Sequence, residues 1–163
     1  MNVELIPVLG IDPGYASCGY GVVGLEGRTA VAYTWGCIRT TPRTGDLAYR
    51  LLTIHQSVEG LIHTFQPGCI SIEKLFFSRN TTTALQVSEA RGVILLAAAE
   101  HNIPVYEYTP KQVKLAITGT GSADKMQMQQ MISRLLRLSE IPRPDDAADG
   151  LSLALCHMHW RQD

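Results

Sequence analysis

A chain of 163 residues, 45% hydrophobic and 18% charged, has a globular composition and a length near that at which one core folds alone. A net charge of −1 and a pI near 6.5 exclude a uniformly basic nucleic-acid binder, so any DNA-binding face has to come from local clusters of Lys and Arg. The longest apolar run, Val93 to Ala99, is far short of the roughly 20 residues that span a bilayer.

In chain order, Leu5 to Ile11 reads as a buried strand. Cys18 to Leu25 and Thr29 to Cys37 read as two more, joined by a tight turn at Glu26-Gly27-Arg28, so the first three strands form an antiparallel meander. From Asp46 to Phe65, apolar residues recur at three- and four-residue spacing, which predicts a helix ended by Pro67-Gly68. Cys69 to Glu73 is a short strand. Thr82 to Glu100 is a second helix, whose VILLAAA stretch is apolar most of the way round and expected to be largely buried. Val105 to Tyr108 is a fifth strand. Thr109-Pro110 reads as an N-cap with proline at the first helical position, opening a short helix to about Ile117. Gly119 to Ser122 is a loop, Ala123 to Leu138 a helix, and Asp145 to about His159 the last helix.

A meander followed by βα units implies a mixed sheet with helices on both faces. Strand one then lies centrally, with the meander on one side and strands four and five parallel on the other. The order reverses between strands one and four, and ligands bind at such a switch point beyond the carboxyl ends of the strands. We expect a single domain over residues 1–163.

The cysteines Cys18, Cys37, Cys69 and Cys156 form no closely spaced pair, which argues against a zinc site and for reduced, buried thiols. The N-terminus has no basic stretch ahead of an apolar core, so no secretory signal is expected and the cytoplasm is the expected location.

Carboxylates collect at the switch point. Strand one ends in Gly10-Ile11-Asp12-Pro13-Gly14 and strand four in Ile70-Ser71-Ile72-Glu73. Adjacent parallel strands would set Asp12 beside Glu73. Burying an unpaired carboxylate is costly, so each needs a partner or a metal. The last helix opens Asp145-Asp146-Ala147-Ala148-Asp149-Gly150. Asp146 and Asp149, three apart, share a helix face, and so do Asp145 and Asp149, four apart. Asp145 also reads as the helix N-cap. The small residues Ala147, Ala148 and Gly150 let this helix approach the sheet closely. Converging carboxylates repel one another unless divalent cations sit between them. Oxygen-only ligands suit Mg²⁺ or Mn²⁺, and two such ions about 4 Å apart form the usual clamp for phosphodiester cleavage.

Taken in order, GIDPG, SIEKLFF, EARGV, PKQVK with GTGSADK, and DDAADGLSLAL resemble the RuvC family of Holliday junction resolvases over nearly the whole chain. The resemblance implies an α/β protein of RNase H-like fold, with a five-stranded mixed sheet. It implies a nuclease that resolves four-way junctions by paired symmetric nicks, leaving 5′-phosphate and 3′-hydroxyl ends. Its four metal-binding positions match Asp12, Glu73, Asp146 and Asp149, which takes Asp146 over Asp145. Two Mg²⁺ ions per site are expected, with Mn²⁺ able to substitute. RuvA and RuvB are the implied branch-migration partners, and no membrane partner is expected. Lys74 stands where relatives are expected to carry Gln or Glu; it lies on the neighbouring face of the strand and bears on local electrostatics.

Phe76 and Phe77 follow strand four, and an exposed aromatic there can stack on an unpaired base. The resemblance favours Phe76, and it matches Lys114 and Lys125 to DNA-contacting positions. Arg79 and Arg91 are further candidates, whereas His157 and His159 read as structural. A different RNase H-like nuclease is disfavoured by Phe76-Phe77 and the GTGSADK loop. A non-catalytic junction binder is disfavoured by the intact acidic set, and an actin-like nucleotide binder would need a far longer chain. One carboxylate cluster per chain and a two-fold symmetric substrate point to a homodimer. The Ala84, Ala90, Gly92 side of the second helix is the expected interface.

Overall fold

The computed structural model describes residues 6–76 and 81–161, which form five strands and five helices. These are β1 (Val8–Asp12), β2 (Ser17–Glu26), β3 (Thr29–Arg39), α1 (Leu47–Phe65), β4 (Cys69–Glu73), α2 (Thr81–Glu100), β5 (Val105–Tyr108), α3 (Pro110–Thr118), α4 (Lys125–Leu135) and α5 (Asp145–Trp160). The sheet order is β3-β2-β1-β4-β5. The meander is antiparallel, whereas β1–β4 and β4–β5 are parallel, so the reversal falls between β1 and β4 as the element order requires.

Side chains alternate across a strand, and each face of the sheet has its own core. Leu9, Ile11, Ile70 and Ile72 point to one face and pack with Ile54, Val58 and Ile62 of α1 and Ala90, Ile94 and Ala97 of α2. Val8 and Cys69 point to the other face, where Ala148, Leu151, Ala154 and Leu155 of α5 cover the sheet, backed by Val113 of α3 and Ile132 of α4. By the same alternation Gly10, Asp12, Ser71 and Glu73 lie on the α5 face. Ser71 confirms this, donating from its buried Oγ to the Leu153 carbonyl at 2.7 Å.

Glycines set how close α5 comes. A Cβ on Gly10 would fall 2.0 Å from the Gly150 carbonyl oxygen, and one on Gly150 would fall 2.4 Å from the Tyr20 carbonyl carbon. The small residues of α5 therefore act as expected, but the glycines of β1 and β2 are equal partners in the contact.

Several boundaries differ from expectation. β1 starts at Val8, after Ile6 at 64% exposure, and includes Asp12; Leu5, where the strand was expected to begin, lies outside the described residues. α4 spans Lys125–Leu135 rather than residues 123–138, because Asp124 caps it by accepting from the Gln127 amide at 2.8 Å, and Arg137 turns left-handed at φ 52°. Asp145 is not the N-cap of α5. Pro144 occupies that position without a side-chain cap bond, and Asp145 lies in the first turn. The VILLAAA stretch is not buried all round: Ile94, Ala97 and Ala98 are, whereas Leu96 is 52% exposed. Ala84 and Ala90 face the core, leaving Gly92 open on the outer side with Leu85 and Leu96. Among the described residues no helix is long and apolar enough to cross a membrane.

Candidate active site

Three elements deliver four carboxylates to one place. β1 and β4 pair in parallel with Ile11 beside Ile72, which sets Asp12 and Glu73 next to each other at the carboxyl ends of their strands. The first turn of α5 passes over β2 closely enough that a Cβ on Gly19 would lie 1.8 Å from the Asp146 carbonyl oxygen. That approach brings one carboxylate oxygen each of Asp12, Asp146 and Asp149 within 4.8 Å of one another. Glu73 stands beside Asp12 at the strand ends, near enough for each carboxyl to shift the other's protonation.

Crowding and loss of water disfavour the charged forms. Burial, then the charge of Glu73 and the hydrogen bond to it, push Asp12 up to about 7, with Asp146 adding to the rise. Asp149 keeps a solvent-facing edge, yet desolvation of its carboxyl, then the charges of Asp12 and Asp146, push it up to about 7. Glu73 is raised by burial too, and Lys114 acts in the opposite sense. Such a set protonates or takes up cations. Its donors are all oxygen, so the residues present fit Mg²⁺ or Mn²⁺.

Asp146 is held from behind. The Ser17 hydroxyl donates to its Oδ2 at 2.5 Å, and Cys37 Sγ lies 2.9 Å from Ser17 Oγ and 3.9 Å from that same carboxylate oxygen. Ser17 was not singled out from the sequence, and Cys37 was read there only as one of four buried thiols. Ser17 and Cys37 sit in strands, and their adjacency to Asp146 arises from sheet register and the seating of α5. Cys37 is half-buried, unlike the other three thiols, which are buried and pushed up by desolvation.

A cleft of about 330 Å³ opens beside the carboxylates, lined by Asp12, Glu73 and Asp149 together with Lys114 and Lys125. Lys125, the first residue of α4, pairs with Asp145 at 2.9 Å, and Gln129 donates to the other oxygen of that carboxylate at 3.1 Å. Asp145 therefore turns away from the three-aspartate group to hold a lysine at the cleft rim. A second recess, about 240 Å³, adjoins Asp12 and Glu73 and includes Phe76, which is 57% exposed, and Arg91. Arg91 forms an ion pair with Glu107, and among the described residues its buried Nε has no partner. Phe77 and Arg79 lie outside the described residues. Lys74 is exposed. His157 is buried, accepts or donates at 2.7 Å with the Tyr108 hydroxyl and packs on the Tyr106 ring, as a structural residue does.

Comparison with known proteins finds relatives over nearly the whole chain. Residues 8–157 match the family model described as crossover junction endodeoxyribonuclease RuvC. A protein of that name from Desulfitobacterium hafniense is 51% identical over 152 residues, 93% of this chain and 92% of the relative. One from Pseudothermotoga lettingae is 49% identical over 150 residues, covering 92% of each. The solved structure of T. thermophilus RuvC in complex with a Holliday junction substrate superposes with a TM-score of 0.91 at 37% identity, covering 96% of this chain and 95% of that one.

Proposed function

The chain belongs to the RuvC family of crossover junction endodeoxyribonucleases, and from that premise we propose that it resolves Holliday junctions by paired symmetric nicks, with Asp12, Glu73, Asp146 and Asp149 holding two Mg²⁺ ions. It is a metal-dependent endodeoxyribonuclease of RNase H-like fold. The observation that carries the site assignment is the convergence of three aspartate oxygens within 4.8 Å, with Glu73 beside Asp12 on the neighbouring parallel strand, at the switch point of the sheet.

Asp12, Glu73, Asp146 and Asp149 would hold divalent ions whose Lewis acidity would activate a water and offset charge on the leaving 3′-oxygen, with Mn²⁺ able to replace Mg²⁺. The chain's own residues do the rest. Asp12 and Glu73 are fixed by strand pairing, and Asp146 and Asp149 by the rigid first turn of α5, so the ligand set is preorganised. Lys114 and Lys125 face the same cleft and neutralise phosphates of the scissile strand. Phe76, exposed at the adjoining recess, stacks on a base released at the branch point. Arg79 belongs to the same segment and is assigned to DNA contact from the sequence alone.

One active site per chain requires two chains for two matched nicks. The outer side of α2 supports a homodimer: Leu85 is 61% and Leu96 52% exposed, eleven residues and about three turns apart, with Gly92 open between them. The whole chain, residues 1–163, acts as one nuclease domain in the cytoplasm, handed its junctions by RuvA and RuvB.

The direct test is incubation of the full chain with a synthetic four-way junction or a linear duplex of the same sequence, with Mg²⁺. Symmetric paired nicks confined to the junction are expected. Equal cutting of the duplex would sink the junction-resolving assignment.

A further inference from the structure

Four metal-ligating side chains collect on the opposite side of the sheet from the carboxylate cluster, where α1 packs on α2. His55 and Glu59 are one turn apart on α1 and share a face. Glu100 ends α2, and His101 follows it. His55 Nε2 lies 3.0 Å from Glu100 Oε2, His55 Nδ1 lies 3.7 Å from Glu59 Oε2, and His101 Nε2 lies 3.3 Å from Glu59 Oε1. One donor atom each from His55, Glu59 and Glu100 fall within 4.8 Å of one another.

We propose that His55, Glu59 and Glu100 form a second divalent-metal site, of the zinc type, that clasps the end of α2 to α1, with His101 holding Glu59 from outside the ligand set. The donor chemistry separates it from the nuclease centre. An imidazole with two carboxylates suits Zn²⁺, whereas the nuclease set is oxygen only. Zinc–ligand lengths of about 2.0–2.1 Å put neighbouring donors of a tetrahedral site about 3.3 Å apart, and the three donors here lie within 4.8 Å of one another. Ligating imidazoles are neutral, so the set carries the two negative charges of its carboxylates, matching one divalent ion. Only one nitrogen of His55 can face the ion, which leaves the other for a carboxylate, as in carboxylate–histidine–metal arrangements.

The helix end gives an independent reason for a cation. Glu100 places a negative charge at the negative end of α2's dipole, an unfavourable position, and the last turn of α2 holds no basic residue among those described. His55 is largely buried at 16% side-chain exposure, while Glu59, Glu100 and His101 are about 40% exposed, so a fixed inner donor is combined with a solvent entry path.

The probe is Zn²⁺ added to the full chain in excess Mg²⁺, which occupies the oxygen-only cluster. One Zn²⁺ per chain should bind there and raise Tm. Its affinity should fall at least ~10-fold in both His55→Gln and Glu100→Gln, since even outer-shell changes cost about 10–100-fold. Junction cleavage by these variants should be unchanged. Zinc-edge anomalous scattering from wild-type crystals provides a readout that does not depend on the variants folding, and a peak between His55 and Glu100 is expected. The absence of that peak, or equal Zn²⁺ affinity in folded variants, overturns the proposal and leaves an ion-pair network of protonated imidazoles. Failure of junction cleavage by the wild type would count against the nuclease reading and leave this site untouched.

Discussion

Ser17 donates a 2.5 Å hydrogen bond to Asp146, joining the start of β2 to the first turn of α5 across 129 positions of sequence. A carboxylate that must present a chosen oxygen to a metal benefits from having the other occupied. Ser17→Ala should therefore raise the Mg²⁺ concentration needed for half-maximal cleavage about 10-fold or more, as loss of an outer-shell partner does, with the rate restored at high Mg²⁺. A Mg²⁺ titration of junction cleavage measures this. An unchanged midpoint would reduce Ser17 to a packing role.

The four acids should separate chemistry from binding. Asp12→Asn, Glu73→Gln, Asp146→Asn and Asp149→Asn should each abolish cleavage in Mg²⁺ while the junction still shifts in a gel, because the phosphate contacts remain. Asp145→Asn should behave differently. Its carboxylate neutralises Lys125 at 2.9 Å, so its loss should keep cleavage and tighten junction binding at low salt. A dead Asp145→Asn beside an active Asp146→Asn would reverse the assignment of the helix face.

Stability of the metal-free protein should fall as pH rises from about 4 through 7. In the folded chain Asp12 and Asp149 titrate near 7, above their ordinary value of 3.8. Between those values the native state holds protons that the unfolded chain has released, so raising pH favours unfolding. Divalent ions bind the deprotonated set and should flatten or reverse this slope. Urea titrations at several pH values, with EDTA and with Mg²⁺, check it; a metal-free slope of zero or of opposite sign would contradict the crowding.

The cleft rim and the aromatic should affect different steps. Lys114→Ala and Lys125→Ala should each lower the slope of log K against log salt by about one unit. Phe76→Ala should reduce cleavage more than binding, since stacking matters once the branch point opens, where it is worth about 1–3 kcal/mol. Binding isotherms at several salt concentrations and single-turnover cleavage distinguish the two effects.

The outer face of α2 should govern assembly. Leu96→Glu, placed on the exposed stripe with Leu85, should shift sedimentation from dimer to monomer and abolish paired nicking. Wild-type chains mixed with Asp12→Asn chains should yield heterodimers that nick one strand. Monomers at micromolar concentration, free and on junction DNA, together with intact paired nicking, would refute the dimer.

Strand and helix order, and with them the placement of Asp12 and Glu73 at a switch point, were legible in the sequence because local periodicity and turn chemistry dictate them. β4 and β5 span Cys69–Glu73 and Val105–Tyr108 as the sequence predicts, and α3 begins at its Thr109-Pro110 cap. The spacing of Asp146 and Asp149 showed a shared helix face, but Asp145 and Asp149 shared one equally well. The family resemblance took Asp146, and the packing of α5 supplies the physical reason: with Gly10, Gly19 and Gly150 removing the side chains between helix and sheet, the rotation of α5 turns Asp146 toward Ser17 and Asp12 and leaves Asp145 to Lys125. The open side of α2 was hidden for a related reason. A helix apolar all round does not reveal which stripe the sheet covers, and here α1 and the sheet take Ala90, Ile94 and Ala97 and leave Leu85 and Leu96 to solvent. The sequence itself carries periodicity, caps and residue chemistry, which act within a few residues; contacts such as Ser17 with Asp146, or His55 with Glu100, depend on register and helix rotation, which only the assembled core sets.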